Sequence, residues 1–304
     1  MVEPSQKTEN CNSYLQTSWH FRTIGLGTAN YRAASRRLAN EANSLGIFSS
    51  SSGYDEKFLK EMAPAFWNDH KEILKARFPG FGWWVWKPEF VKKSLERIPE
   101  GHGLLYCDSG NFINPNQQDV STLASYMNLA SLHGVVASNS QSFIEEDWSE
   151  TTLMDLLEIP LYARKESQFM AGFILITNSK AGKQFVEHWS KLSCIDDHRY
   201  LIPIKPVSNV PTFYRTSYDQ SIFSCLMKHY SLPSVFIGDK STPGCVRAVR
   251  HRFGYKFNES KTPRFVFFKI LSILSRVKLF LERRIFPVSL NTRPRNHLPI
   301  NGRV

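Results

Sequence analysis

Two short tracts carry side chains that could do chemistry together. Gly80-Phe81-Gly82-Trp83-Trp84-Val85-Trp86-Lys87-Pro88 crowds three of the chain's seven tryptophans beside a lysine. Gly103-Leu104-Leu105-Tyr106-Cys107-Asp108-Ser109-Gly110 ends an apolar run on a lone carboxylate between small residues. An aspartate at the carboxyl end of a buried strand stands where open α/β sheets bind ligands, and Ser109-Gly110 lets another group come close to the backbone. Asp108 could hold a metal ion or a sugar hydroxyl there, and capping the turn is the open alternative. Lys87 is suited to a phosphate or a sugar, while the tryptophans beside it could equally fill a core. A third carboxylate, Asp219, precedes Ile222, Phe223, Leu226 and Met227 at helical spacing, so it either caps backbone N–H groups or faces a ligand from a helix start.

The elements that must position these groups are readable in outline. Residues 104–107 form a buried strand of a mainly parallel sheet. Pro88 suits the start of a helix that buries Phe90, Val91, Leu95 and Ile98 on one face and ends near Pro99. Helices are expected over 31–45, 57–77, 119–132 and 180–192, and strands over 134–138 and 173–177. Residues 47–52 read as a short strand or a flexible loop. Alternating strands and helices without an internal repeat predict a layered α/β sheet.

Several ordered blocks resemble one family. The first two tracts are similar to the Gly-Tyr-Trp-Ile-Trp-Lys-Pro and Asp-Ala-Gly blocks of bacterial glycosyltransferase-like proteins of the nucleotide-diphospho-sugar transferase superfamily. Ile24-Gly25-Leu26-Gly27, Asn30-Tyr31, Glu146-Asp147-Trp148, the Gln168 to Ile174 run, and Arg215 with Tyr218-Asp219-Gln220-Ser221 follow in the family's order, over roughly residues 20–235. The chain departs from the pattern in three places. Ser149-Glu150 replaces Thr-Lys, no histidine precedes Arg215, and the Asp-x-Asp metal motif is reduced to Asp108-Ser109-Gly110.

The resemblance implies a GT-A-type, mostly parallel, Rossmann-like sheet with helices on both faces. It also implies transfer of a sugar from a nucleotide-diphosphate donor to a glycan or lipid-linked acceptor of a bacterial surface polysaccharide (capsule, O-antigen or lipopolysaccharide). In that reading Gly25, Gly27, Trp86, Lys87, Asp108, Ser109, Gly110 and Arg215 face the donor. Gly172, Asp219 and Gln220 face the sugar or acceptor. Asp219 and Asp108 are the catalytic candidates, and Asp108 is the ligand of a divalent Mn or Mg ion. A nucleotidyltransferase and a non-catalytic sugar-nucleotide-binding or assembly component are the alternatives, because a fold by itself does not fix an activity.

Composition sets the surroundings. A chain of 304 residues, 42% hydrophobic and 21% charged, can form one large α/β domain, expected over 19–260 after a flexible start at 1–18. Met1 to Ser18 has no secretory pattern, and the five scattered cysteines suggest neither a zinc site nor a disulfide framework, so a cytoplasmic setting is expected. The net charge of +11 is uneven: from Lys240 onward the balance is +13, and before it −2. That speaks against a nucleic-acid surface on the α/β body. Within 261–286, Lys269, Arg276 and Arg283 line one stripe and Val266, Ile270, Ile273, Leu274, Val277, Phe280 and Leu281 the opposite face. A helix over 264–286 would suit an anionic membrane surface at the inner face of the plasma membrane, with docking on the body or a dimer contact as the alternative. The tail 287–304 reads as disordered.

Overall fold

Strands β1 (Trp19–Ile24) and β3 (Gly103–Cys107) are buried along their whole length and pair in parallel, β3 as an apolar run and β1 with His20, Arg22 and Thr23 buried among its apolar residues. The computed structural model describes residues 15, 17–76, 78–114, 117–203, 210–238 and 244–250. The expected basic helix at 264–286 and tail at 287–304, and most of the expected flexible start, lie outside the described residues.

Beyond β1, the polar edge strand β2 (Ser50–Tyr54) pairs in parallel. On the other side β6 (Ser167–Thr177) runs antiparallel to β3 and to β5 (Val135–Ile144), and β7 (Ser234–Val235) closes the sheet in parallel with β5. The order is β2-β1-β3-β6-β5-β7. A two-stranded ribbon joins β4 (Phe112–Ile113) to β8 (Val246–Arg247).

Helices cover both faces. On one, α1 (Ala29–Asn43), begun by the Thr28 side chain accepting from the Tyr31 N–H, packs Leu38, Ala39 and Ala42 in a cluster with Leu123, Met127 and Ala130 of α6 (Gln117–His133). The other face collects Phe90, Val91 and Leu95 of α5 (Trp86–Leu95), Phe185, Val186 and Trp189 of α8 (Lys180–Cys194), and Ile222, Phe223 and Leu226 of α9 (Asp219–His229). Each fully buried Val, Leu, Ile, Phe or Met side chain among them is worth about 1.5–3 kcal/mol over its exposed state, which makes these two layers the main support of the sheet. The mostly parallel sheet between helical layers is the GT-A-type, Rossmann-like arrangement that the resemblance implied. Among the described residues no helix is long and apolar enough to cross a membrane.

Four elements differ from the sequence reading. The helix expected at 57–77 is broken into α2 (Glu56–Met62), α3 (Pro64–Asp69) and α4 (Lys71–Lys75), because Pro64 opens a new helix and Ala63 turns out of helical geometry before it. The strand expected at 47–52 sits at Ser50–Tyr54. Strands β5 and β6 extend well past the expected 134–138 and 173–177, through polar residues whose register shifts hide the alternation. The extension of β6 carries Gln168 and Ala171 past the end of β3.

The layout fixes where a ligand can be met. The β1–α1–β2 crossover covers one face, the path from β2 through α5 to β3 covers the other, and β1 lies between β2 and β3. The carboxyl ends of β1 and β3 therefore flank a topological switch point, and Asp108 is the first residue beyond β3.

Candidate functional site

Lys87, Asp108 and Asp219 converge from three elements. The Lys87 Nζ lies 2.7 Å from Asp219 Oδ2 and 3.1 Å from Asp108 Oδ1, and it donates to the Ala171 carbonyl at 3.3 Å. An ammonium has three donors, so this lysine is fully engaged by protein. Its side chain is 3% exposed and that of Asp219 5%, whereas Asp108 is 37% exposed and is the member that faces outward. The Tyr106 hydroxyl donates to Asp108 Oδ1 at 2.7 Å. Burial alone would lower the Lys87 pKa, but the two carboxylates more than offset it and hold the ammonium above its ordinary value. Burial pushes Asp219 up to about 6, with Lys87 opposing the shift and Asp108 adding to it. Burial, reinforced by Asp108, also raises the Tyr106 phenol, which stays a donor.

The Asp108 carboxylate is not the cap of its turn. The Asn111 N–H closes that turn on the Asp108 carbonyl, and Asp108 N and Asn111 Nδ2 both donate to the Gly172 carbonyl on β6. From below, the buried Arg37 donates to the Ser109 and Asn111 carbonyls at 2.9 Å while pairing with Glu41. Ser109 and Gly110 thus belong to a clamped turn that fixes the aspartate. Gly172 has a specific reason to be glycine: an added Cβ would lie 3.0 Å from Asp108 Oδ2. Gly172→Ala is expected to cost about 1–2 kcal/mol of stability in urea unfolding, and Gly172→Ala/Asp108→Ala to recover most of it. A loss that persists in the double variant would place the strain in the backbone instead.

On the opposite wall, Tyr218 sits at φ 59°, ψ −130°, outside the regions that non-glycine residues favour, and opens α9 without a side-chain cap. Its ring lies 5.4 Å from that of Trp84, itself left-handed at φ 60°. Beneath the turn, the fully buried Gln168 accepts from Ser217 Oγ and Gln220 Nε2, and donates to Glu145 Oε1 and Ser149 Oγ, each at 3.0 Å. Glu145, the first residue of the short helix α7 (Glu145–Trp148) and also fully buried, accepts from Ser149 and Ser224 hydroxyls and pairs with Lys228. This network fixes the 217–220 turn and so the direction of Asp219. Arg215 stands beside it among the rings of Trp148, Tyr214 and Tyr218, each within 5.8 Å, and donates to the Tyr218 hydroxyl. Its Nε is buried without a partner, and among the described residues no carboxylate pairs with the guanidinium.

No protein-family model matches the sequence, and no curated protein matches it. Among solved structures the chain is similar to the galactosyltransferase LgtC crystallised with donor and acceptor sugar analogs. There the identity is 14% over 90% of this chain and 97% of that one, at a TM-score of 0.42. It is also similar to apo mouse xyloside xylosyltransferase 1, with 10% identity over 73% of this chain and 86% of that one, at a TM-score of 0.37.

The remaining candidates make contacts within the protein. Trp86 is buried, and its indole N–H donates to the Gly80 carbonyl at 2.8 Å, so its only polar atom is used to hold the aromatic turn. Gly25 allows α1 to approach β1, since a Cβ there would stand 1.9 Å from the Tyr31 carbonyl oxygen. The Gly27 N–H donates to Glu56. Gln220 spends its amide nitrogen on Gln168. Tyr106, Tyr218, Gln168 and Glu145 were not singled out from sequence. Tyr106 could have been, because residues two apart on a strand share a face, which puts it beside Asp108. A cavity of about 400 Å³ opens at the β2 edge between Ser35, Tyr54, Phe58 and Arg97, and shares no residue with the Asp108 constellation. Elsewhere, His70, Cys194 and His198 bring one ligating atom each to within 4.8 Å of one another, a spacing that can hold a metal ion.

Proposed function

We propose that the protein transfers a glycosyl group from a nucleoside-diphosphate sugar to an acceptor hydroxyl. The observation that carries this reading is the Asp108–Lys87–Asp219 constellation at the carboxyl ends of β1 and β3, with one carboxylate open and one buried. Asp108 meets the donor, through its ribose or a cation on its diphosphate. Departure of the diphosphate builds negative charge that preorganised cations must offset. Arg215, with no carboxylate partner among the described residues, is the phosphate contact we assign. Lys87 has its donors taken, so its part is to hold both carboxylates at fixed separation and not to touch phosphate directly.

A divalent ion fits Asp108. Its side chain is 37% exposed, Oδ2 is farther from the ammonium, at 3.5 Å, than Oδ1, and hard ions such as Mg²⁺ are commonly held by one or two carboxylates together with substrate phosphates. Such an ion would supply charge stabilisation to the leaving group. Asp219, with its pKa near 6, is matched to taking a proton from the acceptor in an inverting reaction, and in a retaining one it would position the sugar. The acceptor class we favour is the glycan or lipid-linked glycan of a bacterial surface polysaccharide, as the family resemblance implies.

A second reading has an observation of its own. One open carboxylate already neutralised by a lysine is a weaker metal site than a pair, which suits a component that binds sugar nucleotides without turnover. A panel of nucleotide sugars, with and without Mn²⁺ or Mg²⁺, separates the two by release of nucleoside diphosphate. For Asp108→Asn the expected change is a loss of about 10- to 100-fold in apparent donor affinity, the worth of one charged contact. Tight binding with no release, in the presence of glycan acceptors, would favour the binding component. Release of pyrophosphate would instead indicate nucleotidyl transfer.

A further inference from the structure

Outside the candidate site, one cluster has the chemistry of a different ligand. His70 joins α3 to α4, Cys194 ends α8, and His198 lies in the short helical turn Ile195–His198 that follows. The Cys194 Sγ is 3.5 Å from His70 Nε2, and the two imidazole rings are 4.8 Å apart at 67°. All three side chains are half-buried and so reachable from solvent. We infer that His70, Cys194 and His198 bind a zinc(II) ion, with water in the fourth position.

The geometry fits that ion. With Zn–S of about 2.3 Å and Zn–N of about 2.0–2.1 Å, tetrahedral angles put sulfur and nitrogen about 3.6 Å apart, close to the spacing seen between Cys194 and His70. His198 has the supporting contact that zinc-bound histidines usually make. Its Nδ1 lies 2.9 Å from the Ser193 carbonyl, an N–H···O bond that leaves Nε2 unprotonated for the metal. Thiolate with imidazole selects zinc over magnesium or manganese, so this site is chemically separate from a hard ion at Asp108.

The backbone offers an independent sign. Asp196, Asp197 and His198 all have positive φ, at 47°, 53° and 67°, in a segment without glycine. Left-handed geometry in three successive L-residues is costly and persists where other interactions hold it. A metal bond to His198 is such an interaction. It would also tie the end of α8 to the α3–α4 junction, and α4 packs against the turn 79–83 that leads into Trp84 and Lys87.

The test is zinc titration of the full chain, stripped with chelator and kept reduced, followed by calorimetry and by cobalt(II) absorption. One zinc per chain is expected, with a thiolate-to-cobalt charge-transfer band and a rise in Tm on adding zinc. Cys194→Ser and His70→Ala should each weaken zinc at least about 100-fold, more than the loss of a supporting hydrogen bond costs, and Cys194→Ser should abolish the band. Circular dichroism of both variants checks that they fold. Substoichiometric zinc, or unchanged affinity in a folded Cys194→Ser chain, would overturn the site. Absence of the charge-transfer band in the unmodified protein would do so without recourse to any variant, and would leave a cysteine–histidine hydrogen bond as the cluster's content.

Discussion

Replacing Lys87 by methionine is expected to destabilise the protein by about 3 kcal/mol at pH 7.5, the low end of the 3–5 kcal/mol typical of breaking a buried ion pair. The low end applies because Asp108, at 37% exposure, keeps part of its hydration, so most of the loss falls on Asp219 at 5%. The loss should depend on pH in a definite direction. Lys87 opposes the upward shift of Asp219, so removing it lifts that pKa further above about 6. Between the unfolded aspartate value of about 3.9 and the raised folded value, the folded state then binds the extra proton, and stability falls as pH rises through that window. Urea unfolding of the variant should therefore show a smaller deficit at pH 5 than at pH 7.5. Adding Asp219→Asn should restore much of the loss, because no unpaired charge then remains in the interior. An equal deficit at both pH values, or no rescue, would mean that the lysine stabilises by packing among Trp84 and Tyr106 and not by holding carboxylates.

That buried lysine also marks the limit of the sequence reading. The aromatic tract, the strand ending on Asp108 and the helix beginning at Asp219 were legible because each is a local pattern: an apolar run, a proline beside a helix, a 3.6-residue repeat. Their convergence was legible only through family resemblance. The direction of Lys87 was not legible at all. A lysine beside tryptophans reads as a surface cation, and only the antiparallel passage of β6 beyond β3 shows that Ala171 and the two carboxylates enclose it. The Glu145–Gln168 network was hidden for a related reason. Gln168 sits on the irregular extension of β6 and Glu145 just beyond the end of β5, where the register shifts erase the alternation by which a strand is recognised. The His70–Cys194–His198 cluster joins positions 124 residues apart, so the absence of a Cys-x-x-Cys spacing, which argued against zinc, said nothing about it.

The buried carboxylate is where the proposed chemistry can be tested most sharply. Asp219→Asn keeps the size of the side chain and its place at the start of α9, but removes both the charge and the ability to take a proton. If Asp219 is the base, kcat should fall by about 10²–10⁴, the usual worth of a positioned general base. Apparent donor affinity should stay within about threefold, because Asp108 and Arg215 are untouched. On that reading the unmodified protein should gain activity with rising pH through about 6 and then level off, as Asp219 ionises beside Lys87. In the variant that acidic limb should vanish and not merely move. A retained limb with less than a tenfold loss would reassign Asp219 as a positioning residue that keeps Lys87 against Asp108. The same data then bear on stereochemistry. Loss of the limb joins the rate to removal of the acceptor proton, the step for which an inverting transferase requires a carboxylate. Its retention would leave the buried aspartate the part of holding its neighbours in place, the part it would have in a retaining reaction.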